Sequence, residues 1–286
     1  MALNVGRLAR LIRAENVAVV HARSRAPAWV ALGAARAAGI PFVTTYHGSY
    51  SGKSAAKILY NSVMGRGDVV IANSHYTADL IRRMHATPAE RLRVIHRGTD
   101  LSVYAPANVA TERVERMRRS WLVAPDQRVV LLAARLTGWK GQRQLIEAAA
   151  LLRARGLRDA VFILAGDPQG RDSYVAELDA LIAGRGVGSL VRRVGHVADM
   201  PAAFLAASVV AVPSIEPEAF GRVAVEAQAM GAPVVVTDLG AVPETVLAPP
   251  EARPEQRTGW RVPARDVPAL AEAIETALSL RPSMRD

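Results

Sequence analysis

The sequence predicts an α/β protein with two doubly wound parallel-sheet domains that face each other across a cleft. Short runs rich in valine and isoleucine alternate with amphipathic helical stretches along the 286 residues, which is typical of parallel sheets covered by helices. The segment 100–127 breaks this rhythm with Pro106, a charged helical stretch and Pro125. We interpret it as the junction between an N-terminal domain over residues 1–110 and a C-terminal domain over residues 111–286.

Apolar runs bounded by turn residues define the predicted strands. The first domain has four, namely Val17–His21, Phe42–Tyr46, Val69–Asn73 and Leu92–His96. The second has six, namely Val129–Ala134, Val161–Ala165, Leu190–Val194, Val209–Val212, Val234–Thr237 and Trp260–Val262. Helices fit between them, among them 28–38, 77–85, 142–154 and 175–184. Because ligands of open parallel sheets bind beyond the carboxyl ends of the strands, we expect functional residues directly after strands.

Composition narrows the class of protein. The chain has no cysteine, which excludes disulfides, thiol nucleophiles and zinc–thiolate sites and fits a cytoplasmic location. No apolar run reaches the length of a membrane span, and residues 1–15 lack the apolar centre of a signal peptide. The formal net charge of +10 favours an anionic substrate or peripheral contact with an anionic membrane surface. The arginines are scattered and no nucleic-acid motif is present, so we expect no nucleic-acid partner.

The run 218–226 is the most informative motif. Glu218 and Glu226 stand eight residues apart across Gly221, with an apolar strand before them and a predicted helix after Gly221. The amino-terminal end of that helix would suit a phosphate. A carboxylate on either side would accept hydrogen bonds from sugar or ribose hydroxyls. The alternative is that Glu218 only caps the helix and Glu226 is a solvated helix residue.

Two further motifs follow strands. Arg135 and Lys140 stand five residues apart in a loop with two glycines that opens a helix, and together they would clamp a diphosphate. The alternative is an ordinary charged loop with a glycine turn. His47 follows the strand at 42–46 and precedes Gly48, where it would bond a sugar hydroxyl or a phosphate. A lone histidine is more often structural, and that alternative also stays open.

Weaker signals and absences complete the motif analysis. Gly166-Asp167 and Gly240–Glu244 each follow a strand and are typical of loops that shape a cleft. No Asp-x-Asp motif, phosphate-binding P-loop, nucleophile elbow or histidine cluster with metal spacing is present in the sequence. We therefore expect chemistry that needs neither a metal nor a cofactor.

Taken together, these motifs resemble the retaining glycosyltransferases of family 4, which have the GT-B fold of two Rossmann-like domains. The matching elements are the pair Glu218 and Glu226, the Arg135–Gly141 loop and His47-Gly48, supported by Gly166-Asp167 and Gly240–Glu244. Their order and spacing agree with the family over about residues 17–280. The chain looks most like bacterial members that build lipopolysaccharide or other surface polysaccharides.

The resemblance implies roles for these residues. Arg135 and Lys140 would neutralise the leaving diphosphate, and Glu226 would hold the ribose hydroxyls. Glu218 and His47 would contact the donor sugar. The donor-binding backbone would include Gly166, Phe220, Gly221, Arg222 and Val223. In this family the departing phosphate oxygen is thought to accept the proton of the acceptor, so no carboxylate pair at glycosidase spacing is needed.

The sequence also departs from the family pattern. Family members begin with a strand and a glycine-rich loop, whereas residues 1–15 are predicted to form a helix that enters the family's fourth strand. The family's last helix returns to the first domain, and this chain stops at Arg281–Asp286, before that helix. Ala241 stands where a second glycine is common. We therefore expect an incomplete first domain and an apolar strand edge without its neighbour.

Three functions remain open at this stage. The first is a retaining transferase that moves a sugar from a UDP- or GDP-sugar to a glycan or lipid-linked acceptor. The second is a truncated fragment that binds a nucleotide sugar without transferring it. The third is another GT-B enzyme, such as a sugar-nucleotide epimerase, although the acid residues usual in that family have no clear match. The donor sugar, the base and the acceptor stay open.

Overall fold

The computed structural model describes residues 2–48 and 54–280. They form two compact units. The first contains the chain up to Arg97 together with Glu218–Phe220, and the second contains the remainder. The last stretch, Arg281–Asp286, where we expected the chain to stop before a closing helix, lies outside the described residues.

The first unit is a four-stranded parallel sheet in the order β1-β2-β3-β4. Its strands are β1 Val20–Ala22, β2 Phe42–Tyr46, β3 Val69–Ala72 and β4 Leu92–Val94. Its helices are α1 Ala2–Ala14, α2 Arg25–Ala38, α3 Ala55–Ser62 and α4 His75–His85. Each helix after α1 lies between consecutive strands, so the sheet winds in one direction throughout the described residues.

Winding in one direction places the helical layer on one face of this sheet, because crossovers between parallel strands are right-handed. Phe42, Tyr46, Val70 and Ala72 are fully buried and form a core with the alanine-rich side of α2. The opposite face is more open, since Val69 and Ile95 are 36% and 56% exposed. Toward the carboxyl ends of the strands this face is closed, since Thr45 and Asn73 are 8% and 2% exposed.

Small residues let α1 pack closely on α2. A Cβ built at Gly33 would lie 3.1 Å from a methyl group of Val5, so the glycine is what admits the valine. Ala9 and Ile12 of α1 bury their side chains against Ala34 of α2 in the same small core. α2 ends at Gly39 in the left-handed conformation, with φ of 69°, as helices ending in glycine commonly do.

The second unit is a six-stranded parallel sheet in the order β10-β9-β8-β5-β6-β7. Its strands are β5 Arg128–Ala133, β6 Ala160–Ala165, β7 Val191–Gly195, β8 Val209–Val212, β9 Val234–Thr237 and β10 Gly259–Val262. Its helices are α5 Thr111–Ser120, α6 Gln142–Ala154, α7 Asp172–Gly184, α8 Met200–Ala206, α9 Arg222–Ala229 and α10 Val267–Leu278. The chain runs outward from β5 to β7, then returns to the other side of β5 and runs outward again.

This reversal puts helices on both faces of the second sheet. On one face α6, α7 and α10 pack against strand residues such as Leu132 and Phe162. On the other face α5, α8 and α9 pack against residues such as Leu131 and Ile163. Alternate residues of one strand thus serve opposite cores, which explains why these strands are apolar throughout.

All ten predicted strands are present, and the prediction of two parallel-sheet units is confirmed. The largest shift in boundaries is at β1, which was predicted at Val17–His21 and is observed at Val20–Ala22. The backbone N–H of Val17 donates to the carbonyl of Ile12, so Val17 completes the end of α1 instead of starting the strand. The predicted helices at 142–154 and 175–184 are also present, the second beginning earlier, at Asp172.

In the parts of the chain that the structure describes, none of the helices combines the length and the apolar character needed to cross a membrane.

One carboxylate ties α5 to α8 and provides a test of the packing. Asp199 accepts a hydrogen bond from the backbone N–H of Ala202 at 3.2 Å, capping α8, and pairs with Arg113 of α5 at 2.7 and 2.9 Å. We predict that Asp199→Ala lowers the free energy of unfolding by about 1–2 kcal/mol. Arg113→Gln keeps the cap, so its loss should stay under about 1 kcal/mol. Urea unfolding at pH 7 measures both.

The same pair has a pH dependence with a defined sign. The hydrogen bond from Arg113 holds the pKa of Asp199 below its ordinary value of 3.8. A lowered carboxyl pKa in the folded state contributes stability above 3.8 that is lost as the pH falls through the lower, folded-state value. The difference between the native chain and Asp199→Ala should therefore shrink on acidification. A difference that grows at low pH would contradict this assignment.

Candidate active site

The reversal of strand order in the second unit defines where a ligand would bind. β5 and β8 are neighbours, and their following loops leave toward opposite faces of the sheet. A crevice opens at the carboxyl ends of two such strands. The loop after β5 carries Arg135 and Lys140, and the loop after β8 leads to Gly221 and α9. The motifs chosen from the sequence thus lie on the two loops that border this crevice.

Gly141 allows these two loops to touch. It has φ of 79°, and a Cβ built on it would lie 1.9 Å from the carbonyl oxygen of Pro213, just after β8. The backbone N–H of Ile215 donates to the carbonyl of Trp139 at 2.8 Å. No side chain fits at residue 141, and the backbone of the cationic loop is fixed against the loop that follows β8.

Gly166 performs the same function on the other side of β5. A Cβ at this glycine would lie 1.8 Å from the carbonyl oxygen of Ala134. The N–H of Leu136 donates to the carbonyl of Asp167 at 3.1 Å, joining the loops after β5 and β6. Gly166 is thus required for backbone packing, in addition to the donor-binding role that the resemblance implies for it.

Two buried polar side chains, which sequence reasoning missed, hold the backbone of the loop that carries Arg135 and Lys140. The side-chain amide of Gln142 donates to the carbonyl of Arg135 at 3.0 Å, and the hydroxyl of Tyr174 donates to that amide's oxygen at 3.1 Å. Gln142 is fully buried. In the loop itself, Arg135 is exposed, and the ammonium of Lys140 lies 4.1 Å from the centre of the Trp139 ring. A polar residue at the first position of a helix was the only signal in the sequence.

The amino-terminal end of α9 has no side-chain cap. Gly221 stands at the cap position with φ of 84°, and no side chain there accepts a hydrogen bond from the first turn. Arg222 and Val223 open the helix. Backbone N–H groups in a first helical turn lack partners within the helix, so this end of α9 can accept an anion.

Glu226 is buried and already oriented. It is 6% exposed, so the alternative of a solvated helix residue is wrong. The guanidinium of Arg222 lies 2.5 Å from one of its oxygens. Burial and then the nearby charge of Glu226 raise the pKa of Tyr104, whose hydroxyl also donates to this carboxylate. Tyr104 lies in the segment that we interpreted only as a junction, and no motif pointed to it.

The first unit holds the remaining predicted site residues. His47 lies directly after β2 and accepts a hydrogen bond at Nε2 from Nε of Arg23 at 3.2 Å. Burial, followed by the charges of Arg97 and Arg23, lowers the pKa of His47 below 6.5, which favours the neutral imidazole at pH 7. Glu218 and Phe220 also belong to this unit. The carbonyl of Ala219, between them, accepts from the hydroxyl of Ser74 at 2.8 Å.

The predicted residues therefore fall into two groups. His47, Glu218 and Phe220 belong to the first unit, whereas the second unit holds Arg135, Lys140, Gly166, Gly221, Arg222, Val223 and Glu226. Within the second unit, the backbone contacts just described link the loop of Arg135 and Lys140 to the loop that leads to α9. That group has cationic side chains, a helix start without a side-chain cap and a buried carboxylate, which are groups that can bind a nucleoside diphosphate.

The close approach at Gly141 can be tested by substitution, with Gly138 in the same loop as the control position. Gly141→Ala would force the loops after β5 and β8 apart and would place an alanine at φ of 79°. We expect a loss of at least about 2 kcal/mol in the free energy of unfolding. Gly138→Ala, in the same loop, adds a Cβ with nothing within 4 Å and should change little. Equal melting temperatures for the two variants would contradict the described packing.

Two family models match the chain. The model described as "Glycosyl transferases group 1" matches residues 113–286, and the model described as "Glycosyltransferase Family 4" matches residues 1–103. Among curated proteins, the D-inositol 3-phosphate glycosyltransferase of Corynebacterium efficiens is 32% identical over 228 residues, which cover 78% of this chain and 51% of that protein. The chain thus spans about half the length of the curated relatives it matches.

Solved structures agree with this assignment over nearly the whole chain. A glycosyltransferase from Rickettsia africae has 30% sequence identity and a TM-score of 0.87, covering 99% of this chain and 72% of its own. Anabaena Alr3699/HepE, solved in complex with UDP, has 28% identity and a TM-score of 0.84, covering 98% of this chain and 74% of its own. The same Anabaena protein has also been solved with UDP-glucose. The expected fold is confirmed, and the chain belongs to the group 1, family 4 glycosyltransferases of the GT-B fold.

Proposed function

We propose that this chain acts as a retaining glycosyltransferase, which moves a hexose from a UDP- or GDP-sugar to a glycan or lipid-linked acceptor in the synthesis of lipopolysaccharide or another surface polysaccharide. One observation carries the donor half of the proposal. The loop of Arg135 and Lys140 is fixed by backbone contacts to the loop that leads to the uncapped end of α9. The Anabaena neighbour solved with UDP and UDP-glucose supports a nucleotide sugar as the donor.

Different donor-site residues would bind different parts of the nucleotide. Arg135 and Lys140 would carry the diphosphate through charge-assisted hydrogen bonds, with help from the first N–H groups of α9. Glu226 would accept from the ribose hydroxyls. A carboxylate offers about four acceptor positions, so its contacts with Arg222 and Tyr104 leave acceptor positions for the ribose.

The chemical step needs charge stabilisation more than a protein base. The bond between the anomeric carbon and the diphosphate oxygen breaks, and the acceptor oxygen bonds to the same face of the sugar while its proton passes to the departing phosphate oxygen. Cations fixed beside that oxygen stabilise the developing charge. We propose that Arg135 and Lys140 perform this task without a metal, and that no cofactor takes part.

For the first unit we propose sugar and acceptor contacts. His47, kept neutral at pH 7 by its surroundings, would lie beside the donor sugar, and Glu218 would bond a hydroxyl of that sugar. We further propose that the protein works in the cytoplasm, at the inner face of the plasma membrane. The net charge of +10 would attract it to an anionic leaflet, where lipid-linked acceptors are present.

A calorimetric titration tests the donor site directly. The chain is titrated with UDP and with GDP, each in EDTA and again in Mg²⁺. We expect saturable binding of one nucleotide and the same affinity in both buffers. Lys140→Met should weaken that binding about 10- to 100-fold, whereas Lys57→Met, at an exposed position of α3, should not. A folded chain that binds neither nucleotide would refute the donor site, and binding only with Mg²⁺ would refute metal independence.

A second candidate is a nucleotide-sugar-binding fragment without turnover. The groups proposed to hold the nucleotide all lie in the second unit, so binding alone does not depend on the first unit. Release of the nucleotide from the donor, measured with and without a membrane extract as acceptor, separates the two. Acceptor-dependent release supports transfer. Tight binding without release supports the fragment.

Glu226 provides a prediction specific to the ribose. Glu226→Gln should weaken binding of the preferred nucleoside diphosphate at least 10-fold, because the neutral amide is a poorer acceptor for hydroxyls. It should leave binding of inorganic pyrophosphate unchanged. Glu272→Gln, at an exposed position on α10, is the matched control. Equal losses for the nucleotide and for pyrophosphate would contradict a ribose contact.

A further inference from the structure

The open face of the first sheet gathers polar residues at its carboxyl edge. Residues that are aligned on neighbouring parallel strands point to the same face of the sheet. Successive residues of one strand point to opposite faces. The register pairs His21 with Val43, and Thr45 with Ile71. These residues therefore lie opposite the helix-covered core that contains Phe42.

Continuing this alternation by two residues brings charged and polar groups to the same edge. Arg23 follows β1, His47 follows β2, and Asn73 follows β3 in line with His47. The ladder continues past β4, where the N–H of Ile95 donates to the carbonyl of Ala72 at 2.9 Å, so Arg97 also comes to this edge. Four neighbouring strand ends thus contribute to one cluster.

Hydrogen bonds between these side chains show that the cluster is assembled. Nε2 of His21 lies 2.7 Å from the hydroxyl of Thr45, and Nε of Arg23 donates to Nε2 of His47. A guanidinium is always a donor, so Nε2 of His47 must be the accepting nitrogen and Nδ1 must carry the proton. That Nδ1 is buried, and no protein group in the described residues accepts from it.

The side chain of Asn73 also lacks hydrogen-bond partners in the described part of the chain, at both of its polar atoms. Its residue is 2% exposed, and neither its side-chain nitrogen nor its side-chain oxygen has a hydrogen-bond partner among the described residues. A buried amide without partners costs free energy and is rare in native proteins. An amide held in this state beside a second unsatisfied donor indicates that a ligand supplies the missing partners.

The charge of the cluster indicates the sign of that ligand. The charged groups that act on His47 are Arg97, Arg23 and His21, and all of them lower its pKa as cations do. Two guanidinium groups, an N–H of His47 and the amide of Asn73 make a set dominated by donors. Arginine forks match the oxygens of a phosphate group in geometry as well as in charge.

We infer that Arg23, His47, Asn73 and Arg97 form a binding site for a phosphate group carried by the acceptor. This inference rests on the proposed transferase function, since it assigns a chemical class to the substrate of the first unit. The amide oxygen of Asn73 would accept from a hydroxyl adjacent to that phosphate. The site lies wholly within the first unit and uses none of the donor-site residues of the second.

Inorganic phosphate is the first probe. The full chain is titrated with phosphate while the imidazole signals of His47 are followed by NMR, with chloride at equal ionic strength as the blank. We expect a saturable change at His47 and a rise in its pKa, because a bound anion stabilises the imidazolium. Arg97→Gln and Asn73→Ala should each weaken binding at least 10-fold. Arg82→Gln, on the exposed side of α4, is the matched control.

Two further experiments separate this site from the donor loop and identify the source of the phosphate. Lys140→Met removes phosphate binding at the donor loop and should leave the response of His47 intact. Glycerol 3-phosphate and vesicles containing phosphatidylglycerol then separate a soluble phosphorylated acceptor from a lipid headgroup. An equal response to phosphate and chloride, or equal binding by native chain and Arg97→Gln, would overturn the site.

The failure of this inference can be told from the failure of the proposed function. If a nucleotide binds and His47 does not respond to phosphate, the acceptor site is wrong and the donor site stands. If His47 responds and no nucleotide binds, the donor half of the proposed function fails. Thermal melting of Arg97→Gln and Asn73→Ala identifies a variant that has merely unfolded.

Discussion

The candidate donor site depends on backbone contacts that exclude side chains at two glycines. Gly141 lies against the carbonyl of Pro213, and Gly166 lies against the carbonyl of Ala134. These contacts join the loops after three neighbouring strands of the second sheet. They fix the backbone of the cationic loop against the loops that follow β6 and β8. A loop backbone fixed in this way does not need to be ordered by a ligand, which lowers the cost of binding.

Burial is distributed unequally among the charged groups. Arg135 is exposed. Its charge therefore stays hydrated without a desolvation cost, and its side chain is accessible to a diphosphate. Glu226 is buried, and Arg222 and Tyr104 stabilise it there. A buried carboxylate without such partners would take up a proton or destabilise the fold. The pairing orients the carboxylate of Glu226, as a contact with ribose hydroxyls would require.

The sequence predicted the strands, the two sheets and the family, because valine-rich runs and glycine positions depend mainly on local constraints. It also placed the motifs correctly at strand ends. The support of Arg135 by Gln142 and Tyr174, and the contact of Tyr104 with Glu226, escaped prediction. Each joins residues that are far apart in sequence or of a type with many roles, so only packing reveals it.

The pair Glu218 and Glu226 illustrates the limit of arguing from spacing. In the sequence the two carboxylates looked like the two sides of a single pocket. In the structure the boundary between the compact units falls between Phe220 and Gly221, so that Glu218 belongs to the first unit and Glu226 to the second. The left-handed conformation of Gly221 falls at this boundary. Spacing along the chain therefore predicted a pair of carboxylates, and the structure assigns the two to different compact units.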